Sequence, residues 1–298
     1  MITAEQRELR RKHLGSSDAA PALGLSPWKS PRELWLEKTG QLKDVDLSNR
    51  LSVEMGNRFE RPILDAALER MGLTAMFDEM RVHSGGILAA NFDALAFDAG
   101  DDDAPLMPVE AKFADSPERW GPESAGLDGI PQEYAAQVVE QIAVAGAMRG
   151  FLAVYFAGRG RELRIYEIAP PAALVAGLEK TLTDWWHRHV VGMVPPEQEE
   201  PCDLETLARV IRAPGSSVEI DPGLLATWRA AAEVAKNASA EADAAKARVI
   251  EALGQAETGS VNGTEMVTYR EQTRKGYIVA DSTFRVLRAT KACKGGGL

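Results

Sequence analysis

The stretch that most constrains this chain is Ala89–Phe113, AANFDALAFDAGDDDAPLMPVEAKF. Two short apolar runs flank a Gly-Asp-Asp-Asp-Ala-Pro segment, the pattern of a β-hairpin. Alternate side chains of a strand share a face, so Glu110 and Lys112 project together with Ala111 on the other side. Asp93 can come alongside them from the neighbouring strand.

Two carboxylates and one ammonium at a sheet edge suit metal-assisted phosphodiester cleavage. Mg²⁺ takes carboxylate and carbonyl oxygens plus water, and it supplies an attacking hydroxide while neutralising phosphate charge. Lys112 could steer that water or counter the developing negative charge. The backbone carbonyl of Ala111 could add a further oxygen ligand. The order is D-(x)n-E-x-K, shared by the PD-(D/E)xK nucleases. Alone, an E-x-K triplet reads more readily as solvated strand surface, so the rest of the chain has to decide.

With 298 residues the chain holds one large domain or two smaller ones. Its 45% hydrophobic and 26% charged content is that of a globular protein. No run of about 18 apolar residues is present, which predicts no membrane span. The start, MITAEQRELRRKH, lacks the apolar core of a signal peptide. Cys202 and Cys293 are too far apart to suggest a metal or disulfide framework, and the expectation is a reducing, cytoplasmic setting. A net charge of −10 argues against a large nucleic-acid-coating surface but allows a local basic channel.

In chain order, a capping box at Thr3–Gln6 predicts a basic helix over 4–12 carrying Arg7, Arg10, Arg11 and Lys12. Ser17 or Asp18 can cap a second short helix. Its amides, a hydroxyl and nearby arginines make either a phosphate site or an ordinary loop and cap. Ser30-Pro-Arg-Glu33 predicts a helix ending before Gly40, with Trp28, Leu34 and Trp35 in the core. A long helical stretch over 51–71 places Glu54, Asn57 and Glu60 near one face, and Pro62 should kink or break it. Gly56, costly inside a helix, points to close approach of another backbone.

Strands are expected at 74–77, 80–83, 87–97 and 106–113, followed by a helix over 131–147. On that helix Tyr134, Gln137 and Gln141 share one side and Val138, Ile142 and Ala145 another. The glutamines could orient a water or nucleotide, or could simply be a polar outer face. Strands at 150–156 and 162–168 and a helix over 171–191, with Trp185 and Trp186 as packing residues, complete an α/β core around a mixed sheet. Val194–Pro201, proline-rich and acidic, is the clearest boundary. It separates a domain over 1–195 from a C-terminal α+β module over 202–298. That module reads as a short helix at 203–212, a long alanine-rich helix at 222–253 with a seam of Leu225, Trp228, Ala232 and Ala235, and a hairpin about Asn262-Gly263. Two basic, partly β-like stretches (273–279 and 284–288) and a disordered tail at 294–298 follow. Positive charge between Arg270 and Lys294 could touch DNA or be solvated.

Several blocks resemble one family. Gly15–Lys29, GSSDAAPALGLSPWK, resembles the GGSDIAAILGLSPW block that opens the YqaJ-type viral recombinases. Leu34–Gly40 looks like the block that follows. Met55-Gly-Asn-Arg-Phe-Glu60 matches the G-N-x-x-E helix motif, and Asn91-Phe-Asp93 with Val109-Glu-Ala-Lys112 matches D…E-x-K. Ile130–Gln137 matches the I-P-x-x-Y-x-x-Q helix. The agreement spans about Arg10–Glu167, in order and spacing.

That family is similar to the phage lambda-type alkaline exonucleases of PD-(D/E)xK, restriction-endonuclease-like fold. The resemblance implies a phage or prophage enzyme in a bacterial host cell, digesting one strand of linear duplex DNA from its 5′ end with Mg²⁺ (Mn²⁺ substituting) and no ATP. It also implies a single-strand annealing protein as partner and a homotrimeric ring. Carried over by position, Asp93 and Glu110 become metal-binding carboxylates and Lys112 the catalytic lysine. Glu60 becomes an outer metal ligand or organiser, Gln137 the active-site glutamine, and Arg10 and Ser17 the pair that hold the DNA-end phosphate. The chain departs from the family at Ala94, where glycine is usual, and at Val139-Glu140, where a glutamine and an aromatic or histidine are common. The alternatives are a structure-specific or restriction-type endonuclease, and a non-catalytic DNA-binding recombination mediator. The intact Asp93, Glu110 and Lys112 count against the last.

Overall fold

The computed structural model describes residues 11–43, 50–101, 105–158, 160–197, 200–274, 276 and 287–288. Arg10, most of the first basic helix, the tail and seven of the twelve residues of the two basic C-terminal stretches lie outside them. The chain divides into two units, residues 1–211 and 212–298.

The first unit is built on β3 (Leu88–Phe97), seven of whose ten residues are buried. Along one edge runs β2 (Thr74–Val82), antiparallel, from Thr74↔Phe97 to Val82↔Ala89. The other edge is shared. At one end β1 (Leu14–Gly15) pairs parallel with Leu88 and Ala89, and at the other β4 (Met107–Ala114) pairs antiparallel through Ala94↔Val109, Leu95↔Pro108 and Ala96↔Met107. Between them, among the described residues, Ala90–Asp93 has no strand beside it on that edge. β4 continues in parallel to β5 (Gly150–Phe156), and β6 (Glu162–Ile168) closes the sheet antiparallel to β5. The result is a mixed sheet flanked by helices, the α/β arrangement expected from the order of helices and strands.

Helices cover both faces of the sheet. After a 3₁₀ turn at Ser16–Asp18 come α1 (Ala19–Ala22) and α2 (Pro31–Lys38). Ser30 caps α2, its hydroxyl accepting Glu33 N, with Pro31 in the first turn. The long α3 (Leu51–Met71) packs Ile63, Leu64, Ala67 and Leu68 on Ala94, Ala96, Val109 and Ala153. On the opposite face lie α4 (Gln132–Ala145) and α5 (Ala172–Trp185), which runs on into a π-helical turn at Trp186–Val191. Trp185 and Trp186 are buried there with Leu182, Leu34 and Trp35.

Four expectations need correcting. Trp28 is not core: it is 67% exposed, on the turn before α2. Pro62 does not break α3, which runs unbroken from Leu51 to Met71. The proline lies on the solvent side, where the carbonyl it cannot serve can meet water, and the buried residues after it hold the helix in line. Gly56 admits no close neighbour, since a Cβ built there would meet nothing within 4 Å. Finally, 74–82 is one strand rather than two. Asp78, with φ 56°, drops out of the ladder without shifting the register between Phe77↔Ala94 and Glu79↔Phe92.

The chain past the proline-rich segment returns to the first unit. Helix α6 (Leu204–Arg209), capped by Asp203, has Thr206 buried, and Arg209 reaches Glu33 at 3.3 Å. Val210 bridges Leu42. In the second unit, α7 (Pro222–Leu253) starts at an Asp221 cap and has no buried residue. β7 (Thr258–Val261) and β8 (Thr264–Thr268) turn at Asn262-Gly263, both at positive φ, the geometry that dipeptide favours in two-residue hairpins. Among the described residues no helix is long and apolar enough to cross a membrane.

Candidate active site

The ladder between β3 and β4 ends at Ala94↔Val109. The next residues, Asp93 and Glu110, are where the strands part. Face alternation also slips by one here. Leu88, Ala90 and Phe92 pack into the same core as Leu95, whereas Ala94 and Ala96 belong to the core on the opposite face. Asp93 is the residue at which the strand changes phase. Its carboxylate takes the place of a main-chain acceptor: Oδ2 receives Ala111 N at 2.9 Å.

β4 keeps strict alternation, so Val109 and Ala111 face α3 and Glu110 and Lys112 face the other way. Glu110 is 3% exposed and fully engaged. Its Oε1 accepts Lys112 Nζ at 2.5 Å and Gln137 Nε2 at 2.7 Å, and its Oε2 accepts Gln141 Nε2 at 2.6 Å. Gln137 and Gln141 are one turn apart on α4 and grip both oxygens of one carboxylate. Gln141, expected as a possible outer-face residue, is buried at 1% exposure. Its signal in the sequence was its position four residues after Gln137, on the same side of the helix.

Burial pushes the Asp93 carboxyl up from 3.8 to about 8, and the charge of Glu110 adds to the effect. Burial likewise raises Glu60, with Glu110 and Asp78 contributing. Burial opposes the charge on Lys112, yet Glu110 and Asp93 outweigh it and raise its pKa, so it stands as an ammonium at neutral pH. Glu60 thus feels the cluster electrostatically from α3, where neighbouring Phe59 stacks on Phe113 at 4.8 Å. Among the described residues no three His, Cys, Asp or Glu side chains gather as a metal cluster. The pair still fits a hard cation. When both are ionised, Asp93 and Glu110 repel each other in a buried place, and Mg²⁺ takes one or two carboxylates and fills the rest of its shell with water.

Ser17 lies at the other end of the open edge of β3. Gly15 pairs with Ala89, and four residues of strand, about 13 Å, separate Ala89 from Asp93. Ser17 is exposed on the 3₁₀ turn, and Arg10 lies outside the described residues. The turn is pinned from beneath by Asp18, whose Oδ2 accepts Gly15 N at 3.0 Å and pairs with Lys38 Nζ at 2.5 Å; Lys38 also donates to His13 O at 2.7 Å. Burial opposes the charge on Asp18, but Lys38 and Lys29 prevail and lower its pKa. Behind this pair sits Glu140 of α4, 0% exposed, with no hydrogen-bond partner among the described residues for either carboxylate oxygen. Burial raises its pKa well above the usual range, the charge of Asp18 adds to this, and Lys38 offsets part of it.

Residues 6–148, just under half of the chain, match the family model of the YqaJ-like viral recombinase domain, the resemblance read from the motifs. The Bacillus subtilis (strain 168) protein YqaJ, itself uncharacterized, is 27% identical over 191 residues, covering 63% of this chain and 56% of that protein. The chain thus spans little more than half the length of that relative. Among solved structures, an alkaline exonuclease (LHK-Exo) from Laribacter hongkongensis is similar at a TM-score of 0.47 and 16% identity, over 64% of this chain and 94% of that one. A phage-related exonuclease from Haemophilus somnus 129PT is similar at 0.41 and 10%, over 63% and 99%.

Proposed function

We propose that this chain is a metal-dependent deoxyribonuclease, an exonuclease that hydrolyses phosphodiester bonds from 5′ to 3′ on linear double-stranded DNA during phage recombination. One observation carries the reading: Asp93, Glu110 and Lys112 converge where β3 and β4 part, with Gln137 and Gln141 fixing Glu110. The match to the recombinase domain supports it.

Asp93, Glu110 and the Ala111 carbonyl would hold Mg²⁺ (or Mn²⁺), with Glu60 close enough in charge to act as an outer ligand or organiser. The bound ion would supply Lewis acidity and a nucleophilic hydroxide at neutral pH. Glu110 is held against rotation by its three donors, so its oxygens are preorganised. Asp93 is held by Ala111 N, and a cation would displace the proton that burial keeps on its carboxyl at neutral pH. Lys112 keeps its ammonium and can turn from Glu110 to a non-bridging phosphate oxygen, where negative charge develops. Gln137, already donating to Glu110, can align a water or the scissile phosphate. Ser17 and Arg10 would receive the phosphate of the DNA end; Ser17 follows β1, which pairs with the far end of the open β3 edge. No step needs ATP. A single-strand annealing protein would take the strand released, and a homotrimeric ring would keep the enzyme on its DNA.

The test is purified protein with Mg²⁺ on linear duplex labelled separately at each 5′ end, beside a covalently closed circle of the same DNA. Progressive loss from 5′ ends with the circle intact is expected. A nicked or linearised circle would instead mean an endonuclease. Binding without cleavage in Mg²⁺ or Mn²⁺ would mean a recombination mediator that has kept the fold.

A further inference from the structure

A row of aromatic rings runs outward from Lys112. Its Nζ stands 5.5 Å from the centroid of the Tyr134 ring. Tyr134 stacks on Trp120 at 5.2 Å and 19°, and Trp120 leads inward to Phe156 and Tyr166. On the outer side Tyr134 meets Trp28, with centroids 6.0 Å apart and planes tilted by 44°. Trp28 ends the row and is 67% exposed. Packing does not explain it. A core tryptophan buries most of its surface, and Trp28 leaves two-thirds of its own in water beside a cluster of ionised groups.

The turn that carries Trp28 is organised. Ser26 Oγ accepts both Trp28 N and Lys29 N at 3.2 Å, and Lys29 is tied to Glu37 at 2.6 Å. The indole is therefore presented from an anchored loop whose next residue is pinned to α2. A flat, exposed π-surface backed by a second ring is what an unpaired nucleobase stacks on, whatever its identity.

We propose that Trp28, backed by Tyr134, is a stacking platform for an unpaired base of the strand being cut. The inference rests on the nuclease reading above and adds a base subsite to it. Two steps, of 5.5 and 6.0 Å, separate the Lys112 ammonium from the Trp28 ring. At roughly 3.4 Å of rise per nucleotide, the base it takes lies within about three nucleotides of the scissile phosphate. Holding that base out of the duplex favours a frayed end over a closed helix, and it gives the site a grip on DNA that needs no positive charge. An acidic chain with a net charge of −10 has use for such a grip.

The experiment places 2-aminopurine at each of the first four nucleotides of the cut strand in a 5′-phosphorylated duplex. Fluorescence and anisotropy are read in EDTA, then turnover in Mg²⁺, for wild type, Trp28→Ala and Trp28→Phe. Stacking should change the fluorescence at one position only. Trp28→Ala should abolish that change, weaken binding by about 5- to 150-fold and raise KM while leaving kcat near wild type, with Trp28→Phe restoring most of the binding. Because Trp28 is exposed, the melting temperature should not move. If Trp28→Ala binds and cleaves like wild type with the fluorescence change intact, the platform is wrong and the nuclease stands. If the wild type cuts no DNA yet shows the Trp28-dependent change, the platform stands and the nuclease reading fails.

Discussion

Replacing Glu140 by glutamine should change how stability depends on pH. The carboxyl is 0% exposed, and among the described residues neither oxygen has a hydrogen-bond partner and the groups facing it are Asp18 from the 3₁₀ turn and Lys38 from α2. Burial and the charge of Asp18 raise its native pKa, so the folded protein keeps a proton that the unfolded chain gives up above about pH 4.5. The native state binds more protons in that window, and stability must fall as pH rises until the native pKa is passed. The slope is up to about 1.4 kcal/mol per pH unit, so raising the pH from 5.5 to 7.5 costs the wild type up to about 2.7 kcal/mol through this one group. Glutamine does not titrate. Whatever fixed cost its amide donors bring is the same at every pH and drops out of the comparison. Urea denaturation of wild type and Glu140→Gln at pH 5.5, 6.5 and 7.5, with unchanged m-values, should show the variant gaining on the wild type as pH rises. Parallel stability curves would refute the argument, because they would mean that Glu140 carries the same charge in the folded and unfolded states across this range.

Lys112→Ala should abolish cleavage and leave metal-dependent DNA binding, whereas Asp93→Asn should weaken both; wild-type turnover in either variant would remove these residues from the site. Gln141→Leu takes from Oε2 of buried Glu110 the one donor it has among the described residues and should cost about 1.5–3 kcal/mol, read by thermal melting without metal. Gly150→Ala would place a Cβ 2.9 Å from Pro108 O and 2.8 Å from its ring, a clash worth about 1–3 kcal/mol. Chemical denaturation of the two proteins measures it.

The sheet and its flanking helices were legible because their signals are local. A Ser-Pro start for α2, a glycine after α3, and Asn-Gly in the last hairpin each act within one turn of the chain. The cluster of Asp93, Glu110 and Lys112 was legible from alternation and motif. What alternation could not show is the phase slip at Asp93, because it depends on β4 leaving the ladder and on a side chain standing in for a carbonyl. Trp28 looked like core because hydrophobicity says nothing about which face a loop presents. Pro62 looked like a breaker because its local cost is plain, while the packing of Ile63, Leu64, Ala67 and Leu68 that overrides it is tertiary. The burial of Glu140 had no signal of its own, since a glutamate on a helix ordinarily reads as a solvent-facing charge.

Helix α4 sends Gln137 and Gln141 to Glu110, Glu140 towards Asp18 and Lys38, and Tyr134 to Lys112 and the tryptophans. Val138 and Ile142 meanwhile fill the core beneath β5 and β6. Mutational effects along this helix should therefore not add up. A double-mutant cycle between Gln141 and Lys112, or between Glu140 and Asp18, should return an interaction energy of about 0.5–3 kcal/mol, whereas surface positions of α7 should combine independently. Over evolutionary time such a helix changes by paired or compensated replacements. In a library of variants, the background residue at 140 would then decide which substitutions at 18 and 38 survive.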